Sequence, residues 1–176
     1  TLVASPTSVV ANGSTTSSVT VTLADANGNL LTASGGTVAL SSTGSATVSA
    51  VTDNGNGTYT ATVTNTVAES VTISGTLDGA AITDTATITF TVGAADPTNS
   101  NTTLVASPTS VVANGSTTSS VTVRLADANG NLLTASGGTV ALSSTGSATI
   151  SAVTDNTDGT YTCLLYTSPS PRDSSQ

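Results

Sequence analysis

The chain has 176 residues, 66 of them Ser or Thr, with ten acidic side chains, two arginines, one cysteine, and no lysine or histidine. Without His or Lys there is no imidazole to activate a serine and no amine for a Schiff base, and one cysteine makes neither an internal disulfide nor a Cys/His zinc site. A net charge of −8 argues against a grip on a phosphate backbone, no apolar run approaches 18 residues, and no signal peptide opens the chain.

Short β-branched segments separated by turn residues predict strands at residues 2–4, 8–10, 18–24, 37–42, 46–51, 58–64, 70–77 and 82–92. The alternation is clearest where Val19, Val21 and Leu23 interleave with Thr20, Thr22 and Ala24, the period-2 pattern of a half-buried strand. Asn12-Gly13, Asn27-Gly28, Gly35-Gly36, Gly44, Asn54-Gly55, Asn56-Gly57 and Asp78-Gly79 punctuate the strands, and Asn-Gly and Asp-Gly pairs tolerate the positive φ of tight turns. Asp84 breaks the alternation and is expected at a loop edge. No apolar stripe at helical spacing survives among so many β-branched residues. The expected core is Val19, Val21, Leu23, Val38, Leu40, Val48, Tyr59, Ala61, Val63, Val71, Ile73, Ile88, Phe90 and Val92. Strands with turn signals every 8–12 residues predict an all-β protein built of sandwiches.

The chain repeats itself. Residues 1–60 recur as residues 103–162, with 56 of the 60 positions identical. The exceptions are Thr22/Arg124, Val48/Ile150, Gly55/Thr157 and Asn56/Asp158, all of which a sandwich is expected to tolerate. The predicted organisation is therefore a first sandwich at 1–93, a linker at 94–102, and an incomplete second repeat at 103–162 that lacks the last strands. Alone, the second repeat is expected to be marginal or unfolded. Residues 163–176 no longer match the first copy. The stretch CLLYTSPSPRD (residues 163–173) resembles the translated read-through of a sequencing adapter, so the tail is set aside from fold and function as non-native.

The series VVANGS (9–14), VTVTLADANGN (19–29), GTYTATV (57–63) and DTATITF (84–90) resembles the bacterial immunoglobulin-like repeats of the invasin and intimin group. The resemblance covers the first copy and the matching part of the second. It implies tandem Ig-like sandwiches serving as the stalk of a cell-surface adhesin, extracellular and anchored in the outer membrane through a segment outside this chain. Its partners would be neighbouring repeats of the same chain and a host-cell receptor met by a tip domain elsewhere. Neither nucleic acid nor membrane insertion by this segment is expected. Two other readings stay open. One is a ligand-binding Ig-like module for a host protein or glycan; the other is an accessory domain of a phage structural protein or secreted enzyme.

No catalytic, cofactor or metal residue is assigned, and no enzyme activity is expected. The sequence Asp25-Ala26-Asn27-Gly28-Asn29, repeated at 127–131, resembles a calcium loop only superficially. An EF-hand has Gly at its sixth position and Glu at its twelfth, whereas here Gly28 is fourth and Gly36 twelfth. A turn is the simpler reading. Asp96 with Asn99 and Asn101, joined by Asp53 or Asp78, is weighed as a junction calcium site against a solvated linker. Tyr59 and Tyr161 are expected to pack with their hydroxyls on backbone, as in a tyrosine corner. Tyr161-Thr162-Cys163 resembles an antibody Tyr-x-Cys, yet no partner cysteine exists. Isopeptide crosslinks need lysine, and ester crosslinks need a glutamine other than Gln176. The sequons at Asn12, Asn56, Asn101 and Asn114 read better as turns than as glycosylation sites.

Overall fold

A computed structural model describes residues 1–167. The chain falls into two compact units, Thr1–Gly93 and Ala94–Gln176.

The first unit holds β1 (Leu2–Ser5), β2 (Ser8–Val10), β3 (Ser17–Thr22), β4 (Val38–Ser42), β5 (Thr47–Val48), β6 (Thr52–Asp53), β7 (Thr58–Thr64), β8 (Ser70–Leu77), β9 (Ala80–Ala81) and β10 (Ala86–Thr91). One sheet runs β1-β3-β7-β5 with β6 also on β7, and the other runs β2-β10-β8-β4 with β9 on β8. All pairings are antiparallel except β2 with β10, where Val9 lies opposite Phe90. Alternation places one face of every main strand inside. Leu2, Ala4, Val19, Val21, Tyr59 and Val63 from the first sheet meet Val9, Val38, Val71, Ile73, Ile88 and Phe90 from the second. Burying each of the larger side chains contributes about 1.5–3 kcal/mol, which makes this cluster the source of the unit's stability.

Two expected strands differ in detail. Of the segment 46–51 only β5 is strand, and β6 follows just beyond it, both pairing with β7. The segment 82–92 pairs only from Ala86, because the chain first closes the β8–β9 hairpin over Asp78-Gly79. Asp84 lies outside the strands. Leu40, Val48 and Val92 are half-buried rather than buried, while Leu2, Ala4, Val9, Ala11 and Ala86 join the core.

The second unit holds β11 (Thr103–Ser107), β12 (Ser119–Arg124), β13 (Ala148–Ile150), β14 (Thr154–Asp155) and β15 (Thr160–Thr167), in one sheet ordered β11-β12-β15-β13. Residues 110–112 and 140–144, whose sequences match β2 and β4, form no strand among the described residues. The reason is pairing: β2 depends on β10 and β4 on β8, and this unit has no counterpart of β8 or β10 among the described residues. An unpaired strand leaves its backbone groups to water.

The first residues of the adapter-like tail complete β15: Cys163 lies opposite Val121 and Leu165 opposite Ser119, in the register that Ala61 and Val63 hold on β3. Residues 168–176 lie outside the described residues.

One repeat difference is less benign than its loop position suggests. Gly55 sits at φ 72° and Thr157, in its place, at φ 62°. Left-handed backbone is strained for a β-branched residue.

Candidate functional site

The residue types with chemistry to offer are few, and each can be followed to its partners. In the 25–29 turn the Asp25 carboxylate accepts the Asn29 side-chain amide and the backbone N–H groups of Asn27 and Asn29, all at 2.9 Å. Asn29's side chain, followed by its backbone N–H, holds the Asp25 carboxyl below its ordinary value. Asp127 repeats the arrangement with Asn129 and Asn131. These carboxylates organise a tight turn.

The residues weighed for a junction calcium site are each engaged in hydrogen bonds to turns and loops. Asp96 accepts the Thr98 hydroxyl and N–H at 2.7 and 2.8 Å, which lowers its pKa in that order of effect. Asp53 caps the Gly55 N–H and Asp78 the Thr37 N–H, both at 2.8 Å. The amide groups of Asn99 and Asn101 donate to the carbonyls of Ala128 and Gly130. Among the described residues no three acidic or Cys/His side chains cluster as a metal site. Asn12 and Asn114 likewise use their side-chain oxygens to accept the N–H groups of the two residues that close the turn.

Tyr59 is used both for its ring and for its hydroxyl. Its ring is buried at 2% exposure. Its hydroxyl donates to the Gly36 carbonyl at 2.8 Å and accepts the Gly35 N–H at 3.0 Å. Tyr161 makes the same pair with Gly138 and Gly137. The hydroxyl thus sits on backbone as expected, but the contact differs from a tyrosine corner. Tyr59 lies on β7, in the sheet with β1 and β3, and it ties down the loop entering β4. The tyrosine corner of antibody domains lies on the opposite sheet. Cys163 is buried as a free thiol at the position of Ala61.

One cluster escaped the sequence reading. Glu69 accepts the Ser45 hydroxyl and N–H, at 2.5 and 2.7 Å, and the Asn65 side-chain amide at 2.9 Å. Those bonds, Ser45's hydroxyl foremost, pull its pKa down. They join the β4–β5 loop to the β7–β8 loop. The available signal was that Glu69 is the sole glutamate in a chain whose other acids are Asp.

The surface presents no aromatic platform in the repeats, since Tyr59, Phe90 and Tyr161 are all buried. The large apolar residues exposed in the first unit are Val3, Val10, Leu30 and Val67. In the second unit Leu104 is 60% exposed against 5% for Leu2. That face is open because no second sheet covers it among the described residues, so it is core turned outward rather than a formed ligand site.

Two facing sheets with β1, β3, β7 and β5 on one side and β4, β8 and β10 on the other have the strand arrangement of a constant-type immunoglobulin domain. The protein is therefore an all-β, Ig-like tandem repeat. It belongs to the family described as invasin, domain 3, whose model matches residues 1–93 and again 96–175.

Among solved structures it is similar to invasin, titled a bacterial integrin-binding protein. That match is 26% identical with a TM-score of 0.63, covering 96% of this chain and 34% of that one. It is also similar to InvD of Yersinia pseudotuberculosis, at 32% identity and TM-score 0.59, covering 95% of this chain and 48% of that one. A third is FdeC, an Escherichia coli adhesin, at 27% identity and TM-score 0.57, covering 96% and 55%. The chain thus spans from a third to just over half the length of these proteins. Comparison with curated protein sequences gives no significant match.

Proposed function

We propose that the chain is a run of spacer repeats in a bacterial surface adhesin. It would be extracellular and anchored in the outer membrane by a segment outside this sequence. Recognition of a host receptor would belong to a tip domain that the repeats project.

The observation that supports this most is the duplication itself, with 56 of 60 positions kept between the copies. Recognition by each domain would reward different loops, whereas spacing rewards copies of one sound sandwich. The kept residues are those that hold the sandwich: the alternating Val and Leu in and just after β3 and β12, the Tyr59 and Tyr161 hydroxyl contacts, and the turns centred on Asn12-Gly13 and Asp25. The family membership and the adhesin titles of similar structures support the same reading. Loops at the sandwich ends, such as Gly35-Gly36, offer small residues and backbone, with no buried anchor for a partner to grip.

A competition assay tests it. The purified chain, added in excess, is expected to leave attachment of adhesin-bearing bacteria to host cells unchanged. Inhibition of attachment at micromolar chain would instead show that these repeats hold the receptor-binding surface.

A further inference from the structure

The two near-identical repeats allow one turn to be compared in two settings. The turns at 25–29 and 127–131 share sequence and backbone. Asp25 N donates to Asn29 O and Asp127 N to Asn131 O, both at 2.9 Å, and Gly28 and Gly130 both adopt φ 85°. Their surroundings differ. Ala126 is 0% exposed and Asp127 2%, whereas Ala24 and Asp25 are exposed.

The difference coincides with residues 95–102, which lie across the second turn. Asp96 N donates to Ala126 O at 2.7 Å, and Thr102 Oγ1 accepts the Ala126 N–H at 3.0 Å. The amides of Asn99 and Asn101 reach Ala128 O and Gly130 O at 3.2 and 2.9 Å. Ala95 forms a bridge with Asp127. The segment is also folded on itself. Thr102 donates its hydroxyl to Asp96 O at 2.8 Å, and Thr102 N donates to Asn99 O at 2.9 Å. It therefore presents its amides as a preformed comb, with little ordering left to do on contact.

We propose that the first turn is a docking site for the same peptide chemistry. Its occupant would be a segment of sequence Ala-Ala-Asp-Pro-Thr-Asn-Ser-Asn-Thr entering from ahead of Thr1. The acceptors are in place as the carbonyls of Ala24, Ala26 and Gly28, and the Ala24 N–H is the matching donor. Between residues 23 and 47 the first copy is identical to 125–149, so within the turn itself no side chain distinguishes the two seats; nearby, Arg124 stands where the first copy has Thr22, and Asp84 lies 3.8 Å from the Thr1 amine in the first unit. Each repeat of this kind would then fasten the linker that enters it. The linker would be a folded part of the following repeat instead of a solvated tether.

Amide exchange tests this directly on the full chain, with Thr22 and Arg124 distinguishing the copies. Residues 94–102 are duplicated immediately ahead of Thr1, and a second chain bears the same nine residues in scrambled order. The Ala24 N–H is expected to slow by at least about tenfold with the ordered extension, approaching the rate of Ala126. It should return to its original rate with the scrambled extension, or when the last threonine of the ordered extension is valine. In the unextended chain, Thr102→Val is expected to speed exchange at Ala126. An Ala24 rate unmoved by the ordered extension, or slowed equally by the scrambled one, would overturn the proposal.

Discussion

Replacing Tyr59 by Phe isolates one oxygen atom in a packed site. The ring stays, so the hydrophobic contribution of a residue 2% exposed is retained. What is lost is the bond to Gly36 O at 2.8 Å and the bond from Gly35 N at 3.0 Å. A neutral hydrogen bond contributes about 0.5–1.5 kcal/mol net, and leaving a buried partner unmet costs more. Gly36 is exposed and Gly35 half-buried, so water recovers part of the loss, and the expected cost is about 1–2 kcal/mol. For a domain of this size that lowers Tm by roughly 5–15 °C.

Thermal unfolding followed by circular dichroism measures the shift. Tyr59→Phe should move the transition of the first unit and leave that of the second in place, while Tyr161→Phe should do the reverse. A shift in the first unit of less than about 1 °C would mean that the hydroxyl does not hold the loop entering β4, and the reasoning would fail.

Other substitutions probe the remaining devices. Thr157→Gly relieves a β-branched residue at φ 62° and is expected to stabilise the second unit by about 1 kcal/mol in urea titration; a destabilisation would contradict the strain. Glu69 is held below its ordinary value of 4.5 by Ser45 and Asn65, so its stabilisation is fully present above that value. It is lost as pH falls through the lower folded-state value. Thermal scans should show the wild-type Tm falling below about pH 4, with a weaker fall in Glu69→Gln; equal slopes would deny the role of the carboxylate. The second unit, with Leu104 60% exposed, should open at lower urea than the first. Reaction of the buried Cys163 thiol with a disulfide reagent reports that opening. Labelling only at the urea concentration that unfolds the first unit would count against it.

The legible part of the fold was the part governed by periodicity. Val19, Val21, Tyr59, Val63, Val71 and Ile73 declare their face by alternating with Thr and Ser, and all are buried. The short strands β1 and β2 were placed, but their facing was not. Leu-Val-Ala and Val-Val-Ala are apolar throughout, so only the pairing with β3 and β10 decides that Leu2 and Val9 turn inward while Val3 and Val10 turn out. The failure of residues 110–112 and 140–144 to form strands was also beyond local reading, because their sequence equals that of β2 and β4 and only the partner differs. At the turns, Asn-Gly spacing gave the backbone shape. The contact between residues 95–102 and the second turn was hidden because its acceptors are main-chain carbonyls, which have no sequence signature.

If these repeats set distance, the height of an adhesin tip above the bacterial surface should follow the number of whole repeats added or removed within the full-length protein. The height of a fluorescent label at the tip is expected to change by a constant increment per repeat, with the receptor affinity of the full-length protein unaltered. A tip height independent of repeat number, or an affinity that falls when a repeat is deleted, would contradict the spacer role.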